Sequence, residues 1–125
     1  MKTIKVQFDI RPVPKPRMTR ADRWKKRPVV EKYYAYKDLL NIIARSEKFI
    51  LPTEFCIEFY LKMPKYWGKA RQEEFNKKPH QHKPDIDNLL KAFMDALEDE
   101  DMDVWNVHAK KFWSKEDKII VKYKR

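Results

Sequence analysis

The segment HQHKPDIDNLLKAFMDALEDEDMD, residues 80–103, decides how the rest of the chain is interpreted. It places two carboxylates, Asp85 and Asp87, directly after Pro84, continues as an apolar pattern and ends in a second run of acids. Crowded carboxylates repel one another, and a divalent cation with its preference for oxygen ligands makes such crowding favourable. Because the chain carries a net charge of +10, this local concentration of acid predicts a metal-binding helix.

The helix itself is predicted from the spacing of apolar side chains. They recur at helical intervals at Leu89, Leu90, Phe93, Met94 and Leu97. Pro84 suits the start of a helix, and Asp85 or Asp87 suits its cap or first turn, where exposed amide groups favour negative charge. Capping alone explains one aspartate, but not two that flank Ile86. Lys91 lies one turn after Asp87, which fits an i,i+4 ion pair and a cation directed at a phosphate equally well.

Size and composition limit the class of protein. A chain of 125 residues supports one core, and 38% charged with 42% hydrophobic residues is a globular balance. The excess of Lys and Arg favours a polyanionic partner, because these side chains displace counterions from a phosphate backbone. The single Cys56 excludes an internal disulfide and fits a reducing cytoplasm. The sequence shows no signal peptide and no long apolar run, so nothing in it predicts export or a membrane location.

Alternation and helical periodicity define the other elements. Residues 3–10 and 55–62 alternate between apolar and polar side chains, which is typical of half-buried strands. Residues 29–49 show helical spacing. The buried stripe of that helix is predicted to contain Tyr33, Tyr36, Leu39, Leu40 and Ile43. Residues 104–113 and 118–123 favour two strands, which we expect to be joined by a hairpin turn.

These elements predict an α+β fold in a single domain over residues 1–125. Two helices are expected to pack on a small mixed β-sheet in the order β-α-β-α-β-β, with the first two strands paired. Between the second strand and the second long helix, only a short helical turn near Arg71 is indicated.

Two loops without periodicity, residues 11–27 and 63–84, carry much of the positive charge. The cations that we predict to contact DNA are Lys15, Arg17, Arg20, Arg23, Lys65, Lys69 and Lys83. Trp24, Tyr66 and Trp67 lie among them and suit stacking on an unstacked base. The alternative is a solvated loop whose Trp24 packs into the core.

His80 and His82 do not form a zinc site by themselves, because a structural zinc ion needs four ligands and the only cysteine is distant. Contact with a phosphate or with a metal ligand is predicted for either histidine, alongside plain surface exposure.

The segment KPDIDNLLKAFMDAL, residues 83–97, resembles the core signature of the RusA-type Holliday junction resolvases, D-x-D-N-L-x-K-x-x-x-D-A-L. Met63-Pro64-Lys65 and the Lys-rich loop after it are similar to the segment that precedes this signature in the family. Residues 12–17 are similar to its Pro-rich N-terminal loop, so the resemblance covers most of the chain.

The resemblance implies a Mg²⁺-dependent endonuclease, with Mn²⁺ as a substitute, that resolves four-way DNA junctions by paired symmetric nicks in recombination and repair. It implies the same fold, a homodimer and a cytoplasmic bacterial or phage-encoded protein.

The resemblance also implies the site residues. The family's first two metal-binding aspartates correspond to Asp85 and Asp87, and its motif lysine to Lys91. Its third metal-binding aspartate lies in a pair of acids before a strand, and aligning that strand with residues 108–113 selects Asp101. The connection here is shorter than in the family and lacks its glycine turn, so Asp99 and Asp103 remain alternatives. The implied catalytic set is Asp85, Asp87, Lys91 and Asp101.

Two other functions remain compatible with the residues. One is a non-catalytic junction-binding protein whose acids only cap helices. The other is a metal-dependent nuclease that acts on RNA, flaps or another branched nucleic acid.

Overall fold

The computed structural model describes residues 2–97 and 103–125. Within these residues the elements are β1 (Thr3–Phe8), α1 (Pro28–Ser46), β2 (Glu54–Lys62), α2 (Lys69–Phe75), α3 (Ile86–Leu97), β3 (Asn106–Ser114) and β4 (Lys118–Lys124), with a 3₁₀ turn at Arg20–Arg23. The α+β class and the order of the strands and long helices are confirmed. The short helix α2 is a full element where the sequence indicated only a helical turn.

The four strands form one mixed sheet in the order β1-β4-β2-β3. β4 pairs antiparallel with β1 and with β2, whereas β3 pairs parallel with β2. The predicted pairing of the first two strands is wrong, because β4 lies between them. The parallel pairing of β2 and β3 follows from α3, which returns the chain along the sheet before β3 begins.

The connection from β3 to β4 is not the predicted hairpin, since β2 separates the two strands. The chain instead crosses the end of β2. There the Asp117 Oδ1 atom accepts a hydrogen bond from the Lys62 backbone N–H at 2.7 Å, and the Ser114 carbonyl accepts one from the Met63 N–H at 3.0 Å. The prediction assumed that strands consecutive in the chain are neighbours in the sheet, which is the usual case. In this sheet β3 pairs with β2 instead.

The hydrophobic core lies between α1, α3 and the inner face of the sheet. The inner side chains of β2 are buried as predicted, namely Phe55, Ile57, Phe59 and Leu61. The Phe8 ring meets the rings of Phe49 and Phe93 edge-on, with centroids 5.5 and 5.6 Å apart. These contacts fix α3 against the strands, and α3 carries the candidate site.

The buried stripe of α1 differs from its prediction at one position. Leu40 is fully buried, but Leu39 is 49% exposed. Adjacent residues of an α-helix point about 100° apart, so both leucines cannot face the same core. Across the contact of α1 with α3, Asn41 Nδ2 donates a hydrogen bond to the Ala96 carbonyl at 3.0 Å.

A second, smaller cluster packs the basic loop onto the end of the sheet. Met63, Trp67 and Trp113 are buried together, with Phe75 of α2 beside them. The Trp67 and Trp113 ring centroids are 4.8 Å apart, and the Arg71 guanidinium lies 4.1 Å from the Trp67 ring. Trp67 is therefore part of this cluster, and its predicted exposure to a base is wrong.

Candidate active site

The start of α3 carries Asp85 and Asp87. The Asp85 carbonyl accepts a hydrogen bond from the Leu89 N–H at 3.1 Å, so Asp85 directly precedes the helix and Asp87 lies in its first turn. Unpaired amide groups and the helix dipole favour negative charge there. Leu89 and Phe93 are fully buried beneath the helix, whereas both carboxylates and Lys91 are exposed. One side of α3 thus anchors the helix, and the other presents two acids and a cation.

The chemistry of these donors suits a hard divalent cation. Carboxylate oxygens are preferred ligands of Mg²⁺, and neither Asp85 nor Asp87 forms an ion pair within the described residues. Asp101 and Asp99 lie outside the described residues, and Asp103 is exposed before β3. Residues 2–97 and 103–125 contain no group of three potential metal ligands. The structure therefore brings two of the predicted ligands into one turn and does not describe the third.

Lys111 holds the segment that leads into α3. Its Nζ donates hydrogen bonds to the carbonyls of His82 at 2.5 Å and Pro84 at 2.7 Å. Burial lowers the pKa of this amine, and the nearby Asp85 carboxylate opposes the shift. Lys111 was not among the residues that the sequence singled out. The signal was its place on the inner side of β3, which it shares with the apolar Ala109.

His80 is buried against Trp113, with ring centroids 3.8 Å apart. Its Nδ1 accepts a hydrogen bond from the His82 backbone N–H at 3.3 Å. Burial, with a smaller contribution from the charge of Lys111, lowers the pKa of His80 to about 4. Surface exposure is therefore wrong for His80 and correct for His82. At neutral pH the buried ring is uncharged and supports the segment before Asp85.

The predicted DNA-contacting cations differ in their surroundings. Lys15 Nζ lies 2.5 Å from Asp95 Oδ2, and this hydrogen bond raises the pKa of the lysine. The Lys15 N–H also donates to the Asn88 carbonyl at 3.1 Å, so Lys15 ties the Pro-rich loop to α3. The other predicted contacts are exposed, namely Arg17, Arg20, Arg23, Lys65, Lys69 and Lys83.

The basic loop before α1 has an internal brace. Arg27 Nε lies 2.7 Å from Asp22 Oδ1, and this contact is the main reason that the pKa of Asp22 falls to about 2. Trp24 beside it is 72% exposed, so the alternative in which Trp24 packs into the core is wrong. Tyr66 in the other basic loop is 84% exposed. Both rings are accessible to a base.

Comparison with known proteins shows the family of the chain. A family model described as endodeoxyribonuclease RusA matches residues 9–124, and a search of curated proteins found no matching relative. Because the match spans nearly the whole sequence, the chain belongs to the RusA family of endodeoxyribonucleases, which are Holliday junction resolving endonucleases. The resemblance of residues 83–97 is thereby confirmed. Nucleases of this family depend in general on a divalent metal ion.

Among residues 2–97 and 103–125, no helix is long and apolar enough to cross a bilayer.

Proposed function

We propose that this chain resolves four-way DNA junctions by Mg²⁺-dependent hydrolysis at the start of α3, through paired symmetric nicks. The observation that carries the proposal is the pair Asp85 and Asp87. Both are exposed and form no ion pair within the described residues, and Lys111 ties the segment before them to the sheet. Acids that form no ion pair at a fixed helix start are arranged for a metal ion rather than for stability alone.

Asp85 and Asp87 would hold the metal ion, with Asp101 as the proposed third carboxylate. When bound, Mg²⁺, or Mn²⁺ in its place, activates a water molecule and stabilises the charge that develops on the attacked phosphate. Lys91 follows Asp87 by one helical turn on the exposed side of α3. Its ammonium would neutralise the scissile phosphate, where negative charge is greatest in the transition state.

The exposed cations would hold the DNA backbone around this centre. Arg17, Arg20 and Arg23 lie in the same loop as the exposed Trp24, and a loop that combines cations with an exposed ring suits a base that has no stacking partner at a branch. Lys65, Lys69 and Lys83 extend the same charge along the second basic loop. Lys15 would share its ammonium between Asp95 and a phosphate.

We further propose a homodimer, because a four-way junction has approximate two-fold symmetry and two symmetric nicks require two active sites. A cytoplasmic site of action in a bacterium, or on behalf of a phage, is part of the same proposal. It is supported by the exposed free Cys56, which a reducing compartment keeps as a thiol.

Asp87→Asn tests the proposal. The substitution keeps the shape of the side chain and removes its charge, so cleavage of a labelled four-way junction in Mg²⁺ is expected to fall by about 100-fold or more. Junction binding in EDTA should persist, because the cationic surface is intact. Asp38→Asn, at an exposed position on α1, is the matched control and should cleave like wild type.

Comparison with a linear duplex and with RNA and flap substrates distinguishes the other functions. Cleavage by Asp87→Asn at the wild-type rate contradicts the proposed metal site. Tight junction binding by wild type without cleavage in any divalent metal identifies a non-catalytic binding protein. Faster cleavage of RNA or flaps than of the junction identifies a different nuclease.

A further inference from the structure

A cleft of about 350 Å³ opens beside the segment that leads into α3. Four cationic residues line it, Arg11, Lys62, Lys65 and Lys83, and no acidic residue is among its lining residues in the described part of the chain. Lys62, Lys65 and Lys83 form no ion pair there, whereas Arg11 Nη1 lies 3.1 Å from Asp117 Oδ1. Repulsion among these cations is relieved by an anion, so the cleft has the charge of an anion site.

A largely buried histidine also contributes to the cleft. His80 and Trp113 contribute to its lining, and His80 is only 5% exposed. Because His80 Nδ1 accepts the His82 N–H, the neutral ring must carry its proton on Nε2. None of the hydrogen bonds found within residues 2–97 and 103–125 uses that Nε2–H. Among the described residues, this Nε2–H is therefore left for water or for an anion in the cleft.

The position of the cleft relates it to the nuclease centre. Lys83 and Pro84 belong to its wall, and Asp85 is the next residue. Lys111 holds the same wall through the Pro84 carbonyl. A group in the cleft therefore lies on the chain's approach to the proposed metal site. The volume falls at the lower end for ligand sites, so it admits a phosphate with its sugar and excludes a duplex.

We propose that this cleft binds one backbone phosphate of the cleaved DNA strand, next to the phosphate that is hydrolysed. Lys62, Lys65 and Lys83 neutralise it, and His80 Nε2–H donates a hydrogen bond to one of its oxygens. Its adjacency to the cut rests on the function proposed above; the presence of a phosphate site does not. Occupation of the cleft fixes the strand beside Asp85, so it orients the scissile phosphate before the reaction.

The proposed contact is tested by removing charge from the protein and from the DNA, separately and together. The double variant Lys62→Met/Lys65→Met is compared with wild type on synthetic junctions in which single phosphates near the nick are replaced by neutral methylphosphonates. Lys124→Met, an exposed lysine at the far end of β4, is the control. Affinities are measured in EDTA, so that the result does not depend on cleavage. The folded state of each variant is checked by thermal unfolding.

With the unmodified junction, the double variant is expected to bind about tenfold more weakly than wild type. Its slope of log affinity against log salt should fall by about one for each phosphate that the variant no longer neutralises. At one methylphosphonate position, wild type should weaken by a similar factor and the double variant should weaken no further, because both changes remove the same interaction. His80→Phe, which retains a ring against Trp113, should weaken binding about fivefold and show the same non-additivity.

Two results overturn the proposal. In the first, the losses of affinity caused by the double variant and by the methylphosphonate multiply at every position tested. In the second, the double variant binds the junction as tightly as Lys124→Met. A wild-type protein that shows the non-additive position but cuts no junction retains the phosphate site and refutes the nuclease mechanism. A protein that cuts junctions but shows no non-additive position retains the nuclease mechanism and refutes the phosphate site.

Discussion

Burial distinguishes His80 from His82, although the two histidines look alike in the sequence. His80 is stacked on Trp113, and its surroundings lower its pKa from 6.5 to about 4. The folded protein therefore keeps His80 neutral in a pH range where the unfolded chain binds a proton. Because the folded-state pKa is depressed, the stability that His80 contributes is present above pH 6.5 and is lost as the pH falls towards 4.

The free energy of unfolding should consequently fall by about 1.4 kcal/mol per pH unit across that window through His80 alone. Urea unfolding of wild type and His80→Phe at several pH values between about 4.5 and about 7.5 measures it. Subtracting the two profiles cancels the carboxylates common to both proteins. A difference that does not change with pH would show that folding leaves the pKa of His80 unchanged.

The aspartates of α3 show what the sequence can establish about single residues. The signature predicts Asp85 and Asp87 as metal ligands, and both carboxylates are exposed in the structure. The same signature did not reveal that Asp95 pairs with Lys15, 80 positions earlier in the chain. Such a pairing depends on how the Pro-rich loop folds over α3, and local spacing carries no information about it.

At the scale of elements, the segment before α3 depends on Lys111. Lys111→Met keeps the length of the side chain on the inner side of β3 but removes the donor to the His82 and Pro84 carbonyls. We expect a decrease of about 1–3 kcal/mol in unfolding free energy and a fall of about tenfold in kcat, because Asp85 is no longer held in place. KM for the junction should change little, since the DNA-contacting cations remain.

Lys110→Met is the matched control for this experiment. Lys110 is the preceding residue of β3, its side chain points to the opposite side of the sheet, and it is exposed. Steady-state cleavage of the junction and urea unfolding are measured on both variants. Equal effects of the two substitutions, or a change confined to KM, would refute the positioning role of Lys111.

Elements were predicted better than their pairing. Alternation located β2 and its four inward side chains because each residue reports its own face. The prediction of strand pairing was wrong because pairing depends on residues far apart in the sequence. The last strand, β4, lies between β1 and β2 in the sheet. Similarly, the sequence indicated only a helical turn at α2, because the contact that anchors this helix is between Phe75 and a cluster that contains Trp113 of β3.

At the scale of the whole molecule, one side of the sheet is covered by α1 and α3, and the candidate site lies at the start of α3 close to strand β3. This arrangement gives each chain one exposed pair of acids at a helix start. In the proposed dimer each chain makes one of the two nicks, and the charge of +10 on each chain favours contact with the DNA backbone.

The proposed dimer predicts the products of mixed subunits. Wild type and Asp87→Asn, coexpressed in equal amounts with different tags, should form mixed dimers, and the doubly tagged species can be isolated. On a supercoiled plasmid that extrudes a cruciform, a wild-type dimer cuts both strands and yields a linear product. A mixed dimer has one competent site and should yield about 10-fold more nicked circle than linear product, since a second cut needs exchange of the enzyme.

A mixed dimer of wild type with Asp38→Asn is the control and should yield linear product, because both of its sites are intact. Sedimentation at the concentration of the assay establishes whether the dimer is present. A monomer at that concentration, or linear product from the isolated wild-type and Asp87→Asn pair at half the wild-type rate, would contradict paired action. In that case each nick arises from an independent encounter, and the two-fold symmetry of the junction is not matched by the protein.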